Sequence, residues 1–402
     1  MGKSSSEKLP TDVVFDIISR TTSLKTLDTC KSVCKEWKQL IYESSFMPLY
    51  CQNTKNLYGY FVQDVRKCNY VSMFVCLDNN NNSNNNKLPV LRLPENTRIL
   101  ASCNQGILCC LKKRDSSDYQ YCVCKPATQQ WQDLPKPRLD DYTTVSIAIM
   151  VLGSTPLRYK IVRLSRDGII KEYVLYIFTS SCFGFFKFFA VIISLLLFYF
   201  FRPKYCTYYC EIFDSETRAW TKIQDVNLPY PELIRDSAQP VSINNSIHWL
   251  TNDNNILKFS LVQESFHIIT LPEHLHNTDN NRLPNKLVEY EGRLGLVCTT
   301  QEEDSNNQVN MELWLTDEDN ESKINWRTNC KKVLINDMGE RYANPAGIYN
   351  AGILFLKAAD EVVFYKIQDR SLINKVKLDK LRDAREVFQF RSDFDRVDFG
   401  KS

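Results

Sequence analysis

The chain has 402 residues with 50 basic against 47 acidic side chains, a net charge of +3. It has room for two or three domains and lacks the charge excess that a nucleic-acid surface needs. Its 15 cysteines are odd in number and scattered, which argues against a disulfide framework and fits reduced thiols in cytosol or nucleus.

Residues 1–8 (MGKSSSEK) read as a disordered leader with no apolar signal core. Gly2 with Ser6 matches the loose N-myristoylation pattern, which a Ser-rich leader explains more simply.

Residues 9–50 are helical by pattern. Val13, Val14, Ile17 and Ile18 recur at helical spacing after Pro10, whose fixed φ suits a helix start, and Thr11, which offers a capping hydroxyl. That helix ends near Arg20. Ser23 can cap a second short helix with Leu24 and Leu27 on one face, and a third, Ser32 to Tyr42, aligns Val33, Trp37, Leu40 and Ile41. Three such helices cannot bury all of that apolar surface among themselves, so either a partner covers some of it or the following domain does.

Leu9-Pro10, Asp12-Val13-Val14, Ile17, Arg20, Leu24, Leu27, Val33-Cys34-Lys35, Trp37 and Leu40-Ile41 resemble an F-box. The resemblance implies docking onto a Skp-type adaptor, and through it onto cullin and RING subunits. The adaptor-binding residues it implies are Leu9, Pro10, Val13, Ile17, Leu24, Leu27, Val33, Cys34 and Trp37.

From residue 57 to 385 the texture becomes short aromatic and β-branched runs separated by Asn, Asp, Gly and Pro, which reads as all-β. LDNNNNSNNNK, from Leu77 to Lys87, is a solvated loop by composition. One template recurs: a strand end, a six-residue turn and a large apolar residue, as in VCKPATQQW (Trp131), IFDSETRAW (Trp220), KFSLVQESF (Phe266) and FYKIQDRSL (Leu372). A looser copy, LWLTDEDNESKINW, closes at Trp326. A second template opens strands after a bend: NQGILCC at Asn104, NNSIHWL at Asn244, EGRLGLV at Glu291 and NAGILFL at Asn350. Alternating hairpins of this size predict a β-propeller, with a β-sandwich as the competing arrangement. The fold class expected is therefore α+β and multidomain: a three-helix F-box followed by an all-β, propeller-like repeat domain. The β part resembles the F-box-associated or kelch-like domains of plant F-box proteins, and residues 386–402 read as a C-terminal tail.

Cys182 to Lys204 interrupts this pattern. The closing residues are spaced 89, 46, 60 and 46 apart, and removing 174–206, 33 residues, brings the first to 56. The segment behaves as an insertion into one repeat. Within Phe183 to Phe201, fourteen of nineteen residues are Phe, Ile, Leu or Val, worth roughly 6 kcal/mol of insertion against ~3 for Lys187. Hydropathy alone reads it as a membrane span. A single span, however, would place Trp131 and Trp220 on opposite sides of a bilayer. An in-frame translated U-rich intron accounts for both its composition and its position, and a buried hairpin is the third reading.

Neighbouring cysteines such as Cys109/Cys110 and Cys122/Cys124 lack the gap and the partner pair of a zinc site, and His274 and His276 fall in a polar loop. With only 4 histidines and no thiol placed beside a base, neither catalysis, a metal nor a cofactor is expected. The expectation is a non-enzymatic substrate-recognition subunit of an SCF-type ligase in cytoplasm or nucleus, holding an unknown target protein through its β domain. The alternative is a single-pass, membrane-anchored interaction protein.

Overall fold

The computed structural model describes residues 9–399 apart from 78–90, 114–118, 168–204, 273–281, 302–308, 317–325, 329–332, 336–343 and shorter breaks of one to three residues. The apolar run thus lies outside the described residues, as do His274 and His276.

The N-terminal segment holds four helices rather than three: α1 (Thr11–Ser19), α2 (Leu24–Val33), α3 (Lys35–Tyr42) and α4 (Phe46–Thr54). Periodicity missed α4 because Pro48 sits inside its first turn, where the missing N–H would be unpaired anyway. Cys34 alone separates α2 from α3; its backbone is extended and its Sγ accepts the Trp37 N–H at 3.4 Å. Neither Pro10 nor Ser23 makes a side-chain cap.

Six antiparallel sheets follow. Blade 1 is made of β1 (Leu57–Arg66) and β2 (Asn69–Cys76) with the chain's last strand. Blade 2 runs β3 to β6 (Thr97–Ser102, Leu108–Lys113, Tyr119–Lys125, Gln130–Asp133). Blade 3 has β7 (Thr143–Ser154), β8 (Leu157–Arg166), β9 (Tyr205–Asp214), β10 (Ala219–Lys222) and β11 (Val226–Pro229). Blade 4 runs β12 to β15 (Val241–Ile243, Ser246–Leu250, Ile256–Ser260, Ser265–Ile269). Blade 5 runs β16 to β20 (Arg282–Tyr290, Arg293–Gln301, Val309–Thr316, Trp326–Thr328, Val333–Ile335). Blade 6 runs β21 to β24 (Asn344–Asn350, Ile353–Lys357, Glu361–Lys366, Ser371–Lys377). The final strand, β25 (Ala384–Ser392), pairs with β1.

β3, β7, β12, β16, β21 and β25 touch one another in that order and close a ring. This is a propeller, not a sandwich. The expected tail from 386 is corrected: most of β25 lies beyond that point and supplies the inner strand of blade 1. The sequence pattern missed it because β25 follows no hairpin of its own blade, its partner β1 lying at the other end of the chain.

Both turn templates have structural meaning. The second joins the first two strands of a blade, with left-handed Asn244 and Asn245 (φ 48° and 55°) and Glu291 and Gly292 (φ 51° and 73°) forming two-residue turns. The first joins the third strand to the outermost one and sets Trp131 opposite Cys124, Trp220 opposite Phe213, Phe266 opposite Phe259 and Leu372 opposite Tyr365. In three of these turns the residue two before the closing side chain is left-handed: Gln129, Arg218 and Glu264. None is a glycine or asparagine.

A blade cannot bury both faces by itself, so each blade interface carries an apolar cluster. Trp249 of blade 4, for example, packs with Ala148 and Val162 of blade 3 and donates from Nε1 to Ser146 Oγ at 2.9 Å. The interface between blades 6 and 1 also takes in Val14, Ile18, Leu24, Leu27, Leu40 and Ile41, so the helices share the core that closes the ring.

β8 and β9 flank residues 167–204 and pair with each other from Lys160↔Asp214 to Ser165↔Tyr209. Crossing a bilayer once between them would separate two hydrogen-bonded strands. Of the expected insertion 174–206, Tyr205 and Cys206 belong instead to β9, and the rest lies outside the described residues.

Candidate functional site: the helical face and the propeller mouth

The helices divide cleanly into an inner and an outer side. On α1, Val14 and Ile18 face the shared core while Val13 and Ile17, one turn apart, are 40% and 52% exposed; Leu9, preceding them, is 60% exposed. Pro10 is exposed as well. Val33, at the end of α2, is 57% exposed, Cys34 is half-buried in its capping role, and Trp37 packs partly against the core. Leu24 and Leu27 are placed differently from the other seven: at 1% and 0% exposure they lie in the interior.

Polar contacts fix the inner side to the propeller. Asp28 Oδ1 accepts from Arg391 Nη2 at 2.9 Å and from Lys31 Nζ at 3.0 Å. Burial disfavours the Asp28 carboxylate, but the two cations outweigh it and hold its pKa below the usual range. The start of α2 is capped from outside the helix: the Leu24 N–H donates to Asp393 Oδ2 at 3.3 Å. Asp393 also pairs with Lys125, which donates to the Asp395 carbonyl at 2.7 Å. Gln130 exchanges two bonds with the Val397 backbone, so residues beyond β25 strap the helices to blade 2. Sequence reading missed this contact set, since it joins residues more than 260 positions apart.

The helices sit where inner strands end, against Tyr349, Gly292 and Arg391. At the other end of the ring, where inner strands begin, a cavity of about 400 Å³ is lined by Arg98, Tyr121, Tyr142, Thr144, Arg163 and Glu386, among others. Arg163 is held by Glu211 Oε2 (2.6 Å), Thr144 Oγ1 (2.8 Å) and the Leu139 and Tyr142 carbonyls (3.0 and 2.6 Å). This buried pair has its hydrogen bonds satisfied and pins residues 139–142 to blade 3. Arg98 donates to Glu386 at 2.7 Å and lies 5.8 Å from the Tyr70 ring centre.

A match to the F-box associated beta propeller domain covers residues 186–390, ending within β25. The chain belongs to the F-box-associated β-propeller family. Its relatives among curated proteins are F-box proteins of Arabidopsis thaliana. F-box protein At5g41720 is 31% identical over 171 residues, 39% of this chain and 90% of that protein. F-box protein At5g49610 is 27% identical over 293 residues, 72% and 71% of the two chains. Putative F-box protein At1g30920 is 22% identical over 379 residues, 90% and 81%.

No cluster of metal-ligating side chains occurs among the described residues. No helix among them is long and apolar enough to cross a membrane. The buried thiols Cys109, Cys110 and Cys124 are pushed up in pKa by burial, which is unsuited to a thiolate nucleophile.

Proposed function

We propose that this F-box-associated propeller is a substrate-recognition subunit of an SCF-type cullin-RING ubiquitin ligase of the cytoplasm or nucleus. The observation that carries the reading is the apolar row Leu9, Val13 and Ile17, left uncovered on helices whose other side is fixed to the propeller. Its relatives' identity as F-box proteins supports the same reading. In this assignment Leu9, Pro10, Val13, Ile17, Val33, Cys34 and Trp37 form the face for a Skp-type adaptor, which joins the chain to cullin and RING subunits. Leu24 and Leu27 act beneath that face by holding the helices in place.

A target protein docks at the opposite mouth, over the cavity between Arg98 and Arg163. The two ends are joined by packed blades, so a target is held at a defined position relative to the adaptor and its lysines meet the conjugating enzyme at raised effective concentration. The chain itself performs no bond chemistry in this scheme.

Adaptor capture by the full chain tests the reading. The double variant Val13→Asp/Ile17→Asp should lose capture by at least about tenfold, as expected for charge placed at an interface centre, and Leu9→Ala with Trp37→Ala should weaken it. Val262→Asp, at an exposed turn of blade 4, serves as the silent control. Undiminished capture by the folded Val13/Ile17 double variant would overturn the assignment.

A further inference from the structure

The inner strands enclose a second cavity of about 250 Å³, nearer the helices. Its wall mixes apolar residues, such as Met150 and Ile348, with polar ones, Ser102, Gln239, Ser242 and Gln389. Two charged side chains line it: Lys286 of β16 and Glu289 of the same strand. The Glu289 carboxylate accepts from Asn104 Nδ2 at 3.0 Å, and Asn104 lines the same cavity.

Lys286 donates to the Ala346 carbonyl and has no carboxylate partner among the described residues. An ammonium carries three donors, so two are left over along with the charge. Burial lowers its pKa to about 8, and Lys357 adds to the positive potential around it. Tyr60, on β1 across the same cavity, is buried, and its hydroxyl has no hydrogen-bond partner among the described residues. The ring is held in place, stacked on Phe355 at 4.0 Å. Both side chains converge on one peptide unit: Lys286 bonds the Ala346 oxygen, and a Cβ on Gly347 would lie 2.9 Å from Tyr60 Oη.

The spare groups on Lys286 and Tyr60 are donors, one of them cationic. Buried polar groups are otherwise almost always paired. Water can accept from both donors, but it leaves the charge uncompensated, and the cavity is several times one water's share of about 30 Å³. We propose that the central channel binds a small oxyanion, a carboxylate or a phosphate group, between Lys286 Nζ and Tyr60 Oη beside the Ala346–Gly347 peptide. The inference goes beyond the adaptor and target assignments and does not depend on them.

Thermal melts of the full chain near neutral pH, with sodium phosphate or sodium acetate replacing sodium chloride at constant ionic strength, test it. The wild-type Tm should rise saturably with one or both oxyanions, and the stronger of the two identifies whether phosphate or carboxylate is preferred. K286M should remove the response. Because it takes a charge out of the interior, it should melt no lower than wild type in chloride, so its silence would not reflect misfolding; K286Q is a second variant to the same end. Y60F should weaken the response three- to tenfold while leaving the fold intact. A wild type that answers phosphate and acetate no more than chloride, or a Lys286 variant that answers as wild type does, would overturn the proposal.

Discussion

The helices and the blades are made of similar apolar residues, yet they spend them differently. Blades sit between two neighbours in a closed ring, so most of their apolar side chains are covered, and the exposed Val71, Ile268 and Leu372 fall on outermost strands. Each helix meets the molecule from one side, and the row Leu9, Val13, Ile17 is left in solvent. The contrast shows that uncovered apolar surface at the N-terminus is not a consequence of poor packing. Its inner side is as well buried as any blade and continuous with the interface that closes the ring.

Leu27→Ala should strike that continuity hardest. Removing a fully buried leucine costs about 2–5 kcal/mol, and because its cluster includes blades 1 and 6, helical and sheet signals should fall together in one calorimetric transition. Separate transitions would make the helices an independent unit, not part of the core that closes the ring.

Within the blades, acid should act next. Burial lowers the His248 pKa to about 4, so below about 6.5 the unfolded chain takes up a proton that the folded chain refuses. Stability should therefore decline as pH falls from about 6.5 towards 4, by on the order of 3 kcal/mol in total. Melts of His248→Gln across that window should show a flatter decline; an unaltered slope would assign the acid sensitivity elsewhere.

The turns of the blades should yield to a smaller insult. Gly106 has φ +71°, and a Cβ there would meet Ser392 Oγ at 2.2 Å. Gly106→Ala should cost about 2 kcal/mol from left-handed strain and displacement of the β25 end, measurable by denaturant midpoint, whereas a neutral result would mean that this end yields easily. Ile17→Ala should be nearly silent in stability, within about 0.5 kcal/mol, while adaptor capture weakens. A large loss of stability would turn the exposed row into core and remove the contrast between the two regions.

Much of the architecture could be read locally. Helical spacing located α1 to α3, and the spacing of Trp131, Trp220, Phe266 and Leu372 found hairpins whose partners are only a few residues away in the chain. Left-handed Gln129, Arg218 and Glu264 carry no such signal, because the turn is imposed by the flanking strands and the residue type merely tolerates it. Of the candidate docking residues, apolarity marked all of them equally; Leu27 and Ile17 differ in which way the helix is turned, and one strand of text cannot express that.

Helices with more apolar surface than they can use and a repeated hairpin step were legible in the order of residues alone. Those features follow from neighbours within a turn or two, where spacing and side-chain type are enough. Tertiary structure alone decided that β25 returns to close the ring, that Asp393 and Arg391 anchor α2, and that Lys286 and Tyr60 face the same space. Each of these brings together groups hundreds of positions apart or on different blades, and such contacts exist only once the ring has closed and fixed their distance.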